Sequence, residues 1–261
     1  MSGIILPPVF DLTGRTALIT GASSGLGARF AQLLAGAGAN VVVAARRTDL
    51  LQGLCAGIEA EGRQAMAVAM DVADEASVIA GFDAAQERFG TVDTVIANAG
   101  INNEGMIPDL SVEDFDQVMA VNMRGVFLTA REAARRMIAA NFRQNGRGRI
   151  TLISSITAHH ISPGVAAYSA SKAAVSQFGK VAARDWARQG INVNMILPGY
   201  ILTDINADWF EEEGGKKQVA RFPRKRLMRQ EELDVMALYL SSDLSEGITG
   251  AEFVIDDGQT L

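Results

Sequence analysis

The chain has 261 residues, 48% of them hydrophobic, enough for one large core in a single domain spanning residues 1–261. A formal net charge of −6 argues against a nucleic-acid binder, and no segment has the length of a membrane span. The lone cysteine, Cys55, can form no internal disulfide, which fits a reducing, cytoplasmic setting, and no metal site is expected.

The run from Ile4 to Phe10 is broken by Pro7 and Pro8 and has no basic stretch before it. It reads as an arm over residues 1–14, not as a signal peptide. A strand is predicted at Thr16–Thr20. It is followed at once by Gly21-Ala22-Ser23-Ser24-Gly25-Leu26-Gly27 and then by the helical pattern Ala28, Phe30, Ala31, Leu33, Leu34. A buried strand turning through glycines into a helix aims backbone N–H groups and a positive helix end at one point, as a pyrophosphate site requires. Glycines in such turns also serve purely steric needs. Further strands are predicted at Asn40–Ala45, Gln64–Met70, Val92–Ala97, Arg149–Ser154, Asn192–Leu197 and Glu252–Ile255, most of them β-branched and apolar on both faces. Helical patterns at Leu50–Ala60, Glu75–Phe89, Val112–Ala140, Ala167–Arg188 and Glu231–Leu240 alternate with them. This alternation predicts an α/β fold: a doubly wound, Rossmann-type parallel sheet of about seven strands with helices on both faces. Its ligands bind beyond the carboxyl ends of the strands. The stretch Tyr200–Arg229 is too long for a plain connection and is predicted to be a substrate lid. It carries Trp209, Phe210, the acidic run Glu211–Glu213, the pair Gly214-Gly215 and seven basic residues from Lys216 to Arg229, charges that suit a solvated helix face better than an anion site.

Three polar features stand out against this frame. Tyr168 and Lys172 lie four apart in a predicted helix, so they share a face. An ammonium beside a phenol favours the phenolate and brings its pKa toward the working range, although such a pair is also common surface decoration. Ser154-Ser155 closes a strand, placing a hydroxyl at the ligand end of the sheet. Asn122 sits in the helix beginning at Ser111, whose side chain is expected to pair with Asp114 in a capping box. It shares an apolar face with Phe115, Val118, Met119 and Val126. An asparagine there must be hydrogen-bonded or hold a water, and a satisfied kink residue would serve equally well.

With these motifs in place the chain resembles the short-chain dehydrogenase/reductases along essentially its whole length. The resemblance rests on Thr20–Gly27, on Asn98-Ala99-Gly100 after the fourth strand, on Asn122, and on Ser155, Tyr168 and Lys172 at family spacing. Pro198-Gly199 with Thr203 after the sixth strand completes it. It implies a catalytic tetrad of Asn122, Ser155, Tyr168 and Lys172, with Tyr168 as general acid or base and Ser155 on the substrate oxygen. Lys172 would bind the nicotinamide ribose and lower the Tyr168 pKa, while Asn122 fixes a water. It also implies cofactor contacts from Gly21, Ser23, Ser24, Gly25, Leu26, Gly27, Asn98, Ala99, Gly100, Tyr168, Lys172, Pro198, Gly199, Ile201 and Thr203, with Asp71-Val72 at the adenine. The chain departs from the pattern at Ala97, at Asp256-Asp257-Gly258 where Asp-Gly-Gly is usual, and at Leu227-Met228 where a glycine is common.

Cofactor choice is written after the second strand. Val41 to Ala45 ends without a carboxylate, and Arg46-Arg47 follow, so NADP(H) is favoured over NAD(H) unless both arginines merely flank the next helix. Candidate substrate-pocket residues are Asn102, His160, Tyr200 and Trp209, with His159 and Phe210 nearby in sequence; a loop histidine is more often a surface residue. The function expected is an NADP(H)-dependent oxidoreductase interconverting a ketone and a secondary alcohol. Two other readings are a 3-oxoacyl thioester reductase and a non-catalytic NADP sensor, the latter having no need of Tyr168 and Lys172. The partners expected are a small-molecule carbonyl or alcohol and a second copy of the chain, as a homotetramer or homodimer built on the two long helices, with no nucleic acid and no membrane.

Overall fold

The computed structural model describes residues 10–202 and 207–261. Strands β1 Thr16–Thr20, β2 Asn40–Ala45, β3 Ala65–Ala69, β4 Thr94–Ala97, β5 Gly148–Ile153, β6 Ile191–Pro198 and β7 Glu252–Ile255 form one parallel sheet. Their order is β3-β2-β1-β4-β5-β6-β7. Helices α1 Gly25–Gly36, α2 Thr48–Ala60, α3 Glu75–Phe89, α4 Val112–Met119, α5 Gly125–Ala139 and α6 Ala166–Trp186 cover the faces, followed by α7 Ala207–Glu211, α8 Glu213–Arg221 and α9 Asp234–Ser241. The sheet is the doubly wound Rossmann type expected. Strands β1, β2 and β7 have the predicted bounds, and the others shift by one or two residues at their ends.

Alternate residues of each strand feed opposite layers, which is why both faces are apolar. Leu18, Val42 and Ala44 pack with Phe82 and Val126 on one side. Ala17, Ile19, Val41 and Val43 pack with Phe30, Leu34 and Leu240 on the other. β1 pairs with both β2 and β4, so the strand order reverses there. A crevice must open at the carboxyl ends of the strands at such a point. The opposite end is closed by ion pairs, with Asp93 held between Arg15 at 3.4 Å and Arg147 at 2.9 Å.

The predicted single helix from Val112 to Ala140 is interrupted. Ala120–Arg124 forms one π-helical turn between α4 and α5. Through it Val118, Asn122 and Val126 stay buried, but Phe115 leaves the apolar face and is 41% exposed. A wider turn changes the rotational phase of everything before it, and residue spacing alone does not show this. Ser111 caps α4 by accepting from the Asp114 N–H at 3.0 Å. Its own hydroxyl donates to the Asp114 carboxylate at 2.7 Å, so the reciprocal bond of a capping box is replaced by a side-chain pair. Among the described residues no helix is long and apolar enough to cross a membrane.

Candidate active site

The crevice is a cavity of about 780 Å³ with two chemically different ends. At the first, β1 runs through the glycine turn into α1, with Ser24 in the N-cap position. Gly21 has φ +68°, and a Cβ there would lie 2.8 Å from Ala99 Cα; one at Gly27 would lie 2.3 Å from Gly21 O. Gly25 differs: at φ +54° a side chain would meet nothing within 4 Å, so its absence leaves the cavity wall open. Thr20 Oγ1 accepts from the Asn98 and Ala99 N–H groups at 3.1 Å each, and Asn98 Nδ2 donates to Thr20 O at 3.0 Å. Asn98 thus clamps the turn to the end of β4.

After β2, Arg46 and Arg47 are exposed on this wall. The Arg47 guanidinium donates to Ser23 Oγ at 3.1 and 2.8 Å and to Ser24 Oγ at 2.8 Å. Ala45, at the end of β2, brings no carboxylate. After β3, Asp71 accepts from the Ala73 N–H at 2.9 Å, shaping the turn that presents Val72. Open glycine backbone, a helix N-terminus and two guanidinium groups without an opposing acid fit a phosphorylated dinucleotide.

Tyr168 and Lys172 project from α6 at the second end, with Lys172 Nζ 5.4 Å from the phenol ring centre. Lys172 is 3% exposed and donates to Ile153 O at 2.8 Å. Burial pushes its pKa down to about 8. Burial also pushes the Tyr168 phenol up, partly offset by a hydrogen bond from Ser155. The expected lowering of Tyr168 by Lys172 is therefore not present in the protein alone: desolvation dominates, and the Lys172 ammonium is directed at the Ile153 carbonyl. Ser155 is buried and accepts from the Thr157 N–H at 3.2 Å and the Thr157 hydroxyl at 3.1 Å. Asn122 is wholly buried. Its Oδ1 accepts from Ile101 N at 2.8 Å, and its Nδ2 donates to Ile101 O at 2.9 Å and Ser171 Oγ at 3.1 Å. The π turn thus presents an amide that grips the loop after β4, where Gly100 has no Cβ to come between Asn122 and Lys172.

Asn102, Tyr200, Trp209 and Phe210 line the cavity with Pro198, Gly199 and Ile201. His160 and His159 do not: both are exposed beyond the wall. His159 pairs with Glu252 at 3.1 Å, and His160 lies near the Asp256 carboxyl, which hydrogen bonds from the Thr260 hydroxyl and from the Gly258 and Thr260 N–H groups hold below its usual range. Thr203 lies outside the described residues. Sequence reasoning missed Glu104, Met106 and Gln218 on the wall; Gln218 accepts from Trp209 Nε1 at 3.1 Å. It also missed Gln259, whose carboxamide accepts from Tyr200 N at 2.6 Å and donates to Tyr200 O at 3.2 Å. No spacing or composition signal marked these four.

Gly214 and Gly215, which the sequence places in the predicted lid, are required by packing. A Cβ at Gly215 would lie 2.2 Å from Trp209 O, and one at Gly214 would lie 2.6 Å from the Trp209 ring. The departures from the family pattern find partners too. Asp257 takes a left-handed φ of 54°, and its carboxylate pairs with Arg224 at 3.2 Å and Arg226 at 2.8 Å. Met228 is buried, and its N–H donates to Tyr200 O at 3.0 Å, so it anchors the base of the predicted lid.

The sheet order, together with a phenol, a hydroxyl and an ammonium facing a glycine turn across one cavity, defines an oxidoreductase of the dinucleotide-binding class. The chain belongs to the short-chain dehydrogenase family, whose model, described as "short chain dehydrogenase", matches residues 15–214. It is 37% identical over 256 residues to a gluconate 5-dehydrogenase of Gluconobacter oxydans, covering 98% of each chain. It is 35% identical over 257 residues to glucose 1-dehydrogenase 2 of Bacillus subtilis, covering 96% of each. Among solved structures, a gluconate 5-dehydrogenase from Burkholderia cenocepacia in complex with NADP and tartrate superposes with a TM-score of 0.90 at 35% identity, covering 97% of both chains. The protein is thus an oxidoreductase acting between alcohol and carbonyl.

Proposed function

We propose that the protein interconverts a ketone and a secondary alcohol on a sugar-derived or polyol skeleton, using NADP(H), in the cytoplasm. The observation that carries this is the grouping of Ser155, Tyr168 and buried Lys172 on one cavity with the glycine turn and two guanidinium groups. The relatives' names supply the skeleton, and NADP in a related structure supports the cofactor.

The glycine turn Gly21–Gly27, Asp71-Val72, Asn98–Gly100 and Pro198–Ile201 would hold the cofactor, with Arg46 at the 2′-phosphate and Lys172 at the nicotinamide ribose. When bound, the cofactor supplies or accepts the hydride. Every proton is then handled by the chain. In reduction, Tyr168 donates its proton to the carbonyl oxygen while the Ser155 hydroxyl stabilises the negative charge developing there. In oxidation, the Tyr168 phenolate takes the alcohol proton back. Its raised pKa keeps Tyr168 protonated and so able to donate at neutral pH, so reduction is favoured there and oxidation gains as pH rises. Asn122 holds the floor of the site through Ile101 and positions the proton path.

Residues 1–261 act as one domain, and about 200–229 close over the ligands. The chain assembles as a homotetramer or homodimer through α5 and α6, where Phe127, Ile138 and Val181 are exposed; light scattering showing only monomer at micromolar concentration would reject this. The test of the chemistry is Tyr168→Phe, which removes most turnover while folding and cofactor binding persist. Ser155→Ala loses about 10²–10³-fold, the cost of one oxyanion donor. Near-normal turnover in Tyr168→Phe would refute the assignment.

A further inference from the structure

The charge at the substrate end of the cavity is one-sided. Of the charged side chains on the wall, Arg46, Arg47 and Asp71 follow β2 and β3 at the glycine-turn end, and Lys172 is buried with its ammonium on Ile153 O. Glu104 is the one that remains, among the described residues. Its place is fixed by its neighbour: Gly105 N–H donates to Gly164 O at 2.9 Å, and Gly105 bridges Val165, one turn before Tyr168. Asn102 Nδ2 donates to Glu104 Oε1 at 3.3 Å, while Asn102 Oδ1 is buried with no partner among the described residues. The wall opposite is aromatic and amide: Trp209, Tyr200 and Gln218.

Resting on the oxidoreductase reading above, we infer that the substrate is a neutral polyhydroxylated or cyclic alcohol, or the matching ketone, and that Glu104 selects against carboxylates. A carboxylate brought here meets a like charge with no cation beside it among the described residues, which disfavours the wrong partner. A hydroxyl instead donates to Glu104, and its carbon skeleton lies against the Trp209 face. Glu104 is exposed, so its repulsion is screened by salt.

The experiment separates binding from turnover. Trp209 lies on the wall, whereas Trp186, the other tryptophan, packs on Phe178 at 6.4 Å. In a Trp186→Phe background loaded with NADP⁺, Trp209 emission is titrated with glucitol and with gluconate, which differ by a carboxylate in place of a CH₂OH group. The same pair is also assayed for hydride transfer. We expect half-saturation by glucitol at about tenfold lower concentration, given partial screening of an exposed charge. High salt should narrow that gap in the unchanged chain, and Glu104→Gln should close most of it. Gluconate binding as tightly as glucitol, or a gap that neither salt nor Glu104→Gln alters, overturns the inference. Selective binding without hydride transfer from any neutral alcohol to NADP⁺, or from NADPH to any neutral ketone, would support the inference and count against the oxidoreductase mechanism instead.

Discussion

Arg46→Ala isolates the cofactor assignment from everything else in the site. Arg47 is committed to the Ser23 and Ser24 hydroxyls through three contacts of 2.8–3.1 Å. Arg46 makes no hydrogen bond or ion pair among the described residues, yet it lines the same wall. Its guanidinium is therefore the one at liberty to meet a 2′-phosphate. A hydrogen bond to a charged group contributes about 1.5–3 kcal/mol, so its loss weakens NADP(H) binding roughly 10–150-fold. Because Arg46 is exposed, screening places the effect toward the lower figure. NAD(H) has no phosphate there, and its affinity barely moves. Arg47→Ala behaves differently: it releases Ser23 and Ser24 from their brace, so both cofactors weaken. Ala45→Asp goes further than Arg46→Ala, accepting the NAD ribose hydroxyls while repelling the phosphate. The assay is kcat/KM with each cofactor at fixed ionic strength in the unchanged chain and the three variants. A chain that prefers NAD(H), or an Arg46→Ala variant that loses both cofactors equally, refutes the reasoning.

Burial lowers Lys172 from 10.5 to about 8, so between these values the unfolded chain binds more protons than the folded one, and this group's stabilising contribution grows as pH rises. The cofactor-free chain should therefore gain stability relative to Lys172→Met from pH 8 to 10.5, read as the difference of two denaturant midpoints; a flat difference refutes the burial argument. Burial and Glu59 push the Cys55 thiol up to about 11, so a thiol reagent at pH 8 should label the native chain far more slowly than the unfolded one, and equal rates refute this. Proteolysis between Tyr200 and Arg229 should slow when NADP(H) is added, and equal cleavage with and without it refutes closure of the lid. In the same assay Gly215→Ala, which forces a Cβ to 2.2 Å from Trp209 O, should be cleaved faster in both conditions.

The sheet was legible because parallel strands covered on both faces are runs of apolar, β-branched residues: Val41-Val42-Val43 has no other plausible use. The glycine turn was legible because its geometry forbids side chains at fixed positions. The π turn at Ala120–Arg124 left no mark, since a widened turn costs no particular residue type. The packing role of Gly214 and Gly215 was not legible, because a glycine required by a neighbour's bulk and a glycine required by flexibility look alike in sequence. His160 was placed by proximity along the chain, and the backbone after β5 turns it outward. The phenol's pKa was misjudged in sign because sequence shows which charges are near but not how much water they lose. Glu104 and Gln259 come from loops with no periodicity to place them, and Gln218 comes from the short helix α8 inside the stretch read only as a lid.

The chain's last residues reach back to the substrate loop: Gln259 holds both backbone polar groups of Tyr200, and Asp257 holds Arg224 and Arg226. The shape of the pocket wall at Tyr200 thereby depends on residues 257–259, far in sequence from Ser155 and Tyr168. Substitutions at Asp257 or Gln259 can therefore reshape the pocket at Tyr200 while Ser155, Tyr168 and Lys172 stay fixed, and a screen that randomises only the wall will miss them.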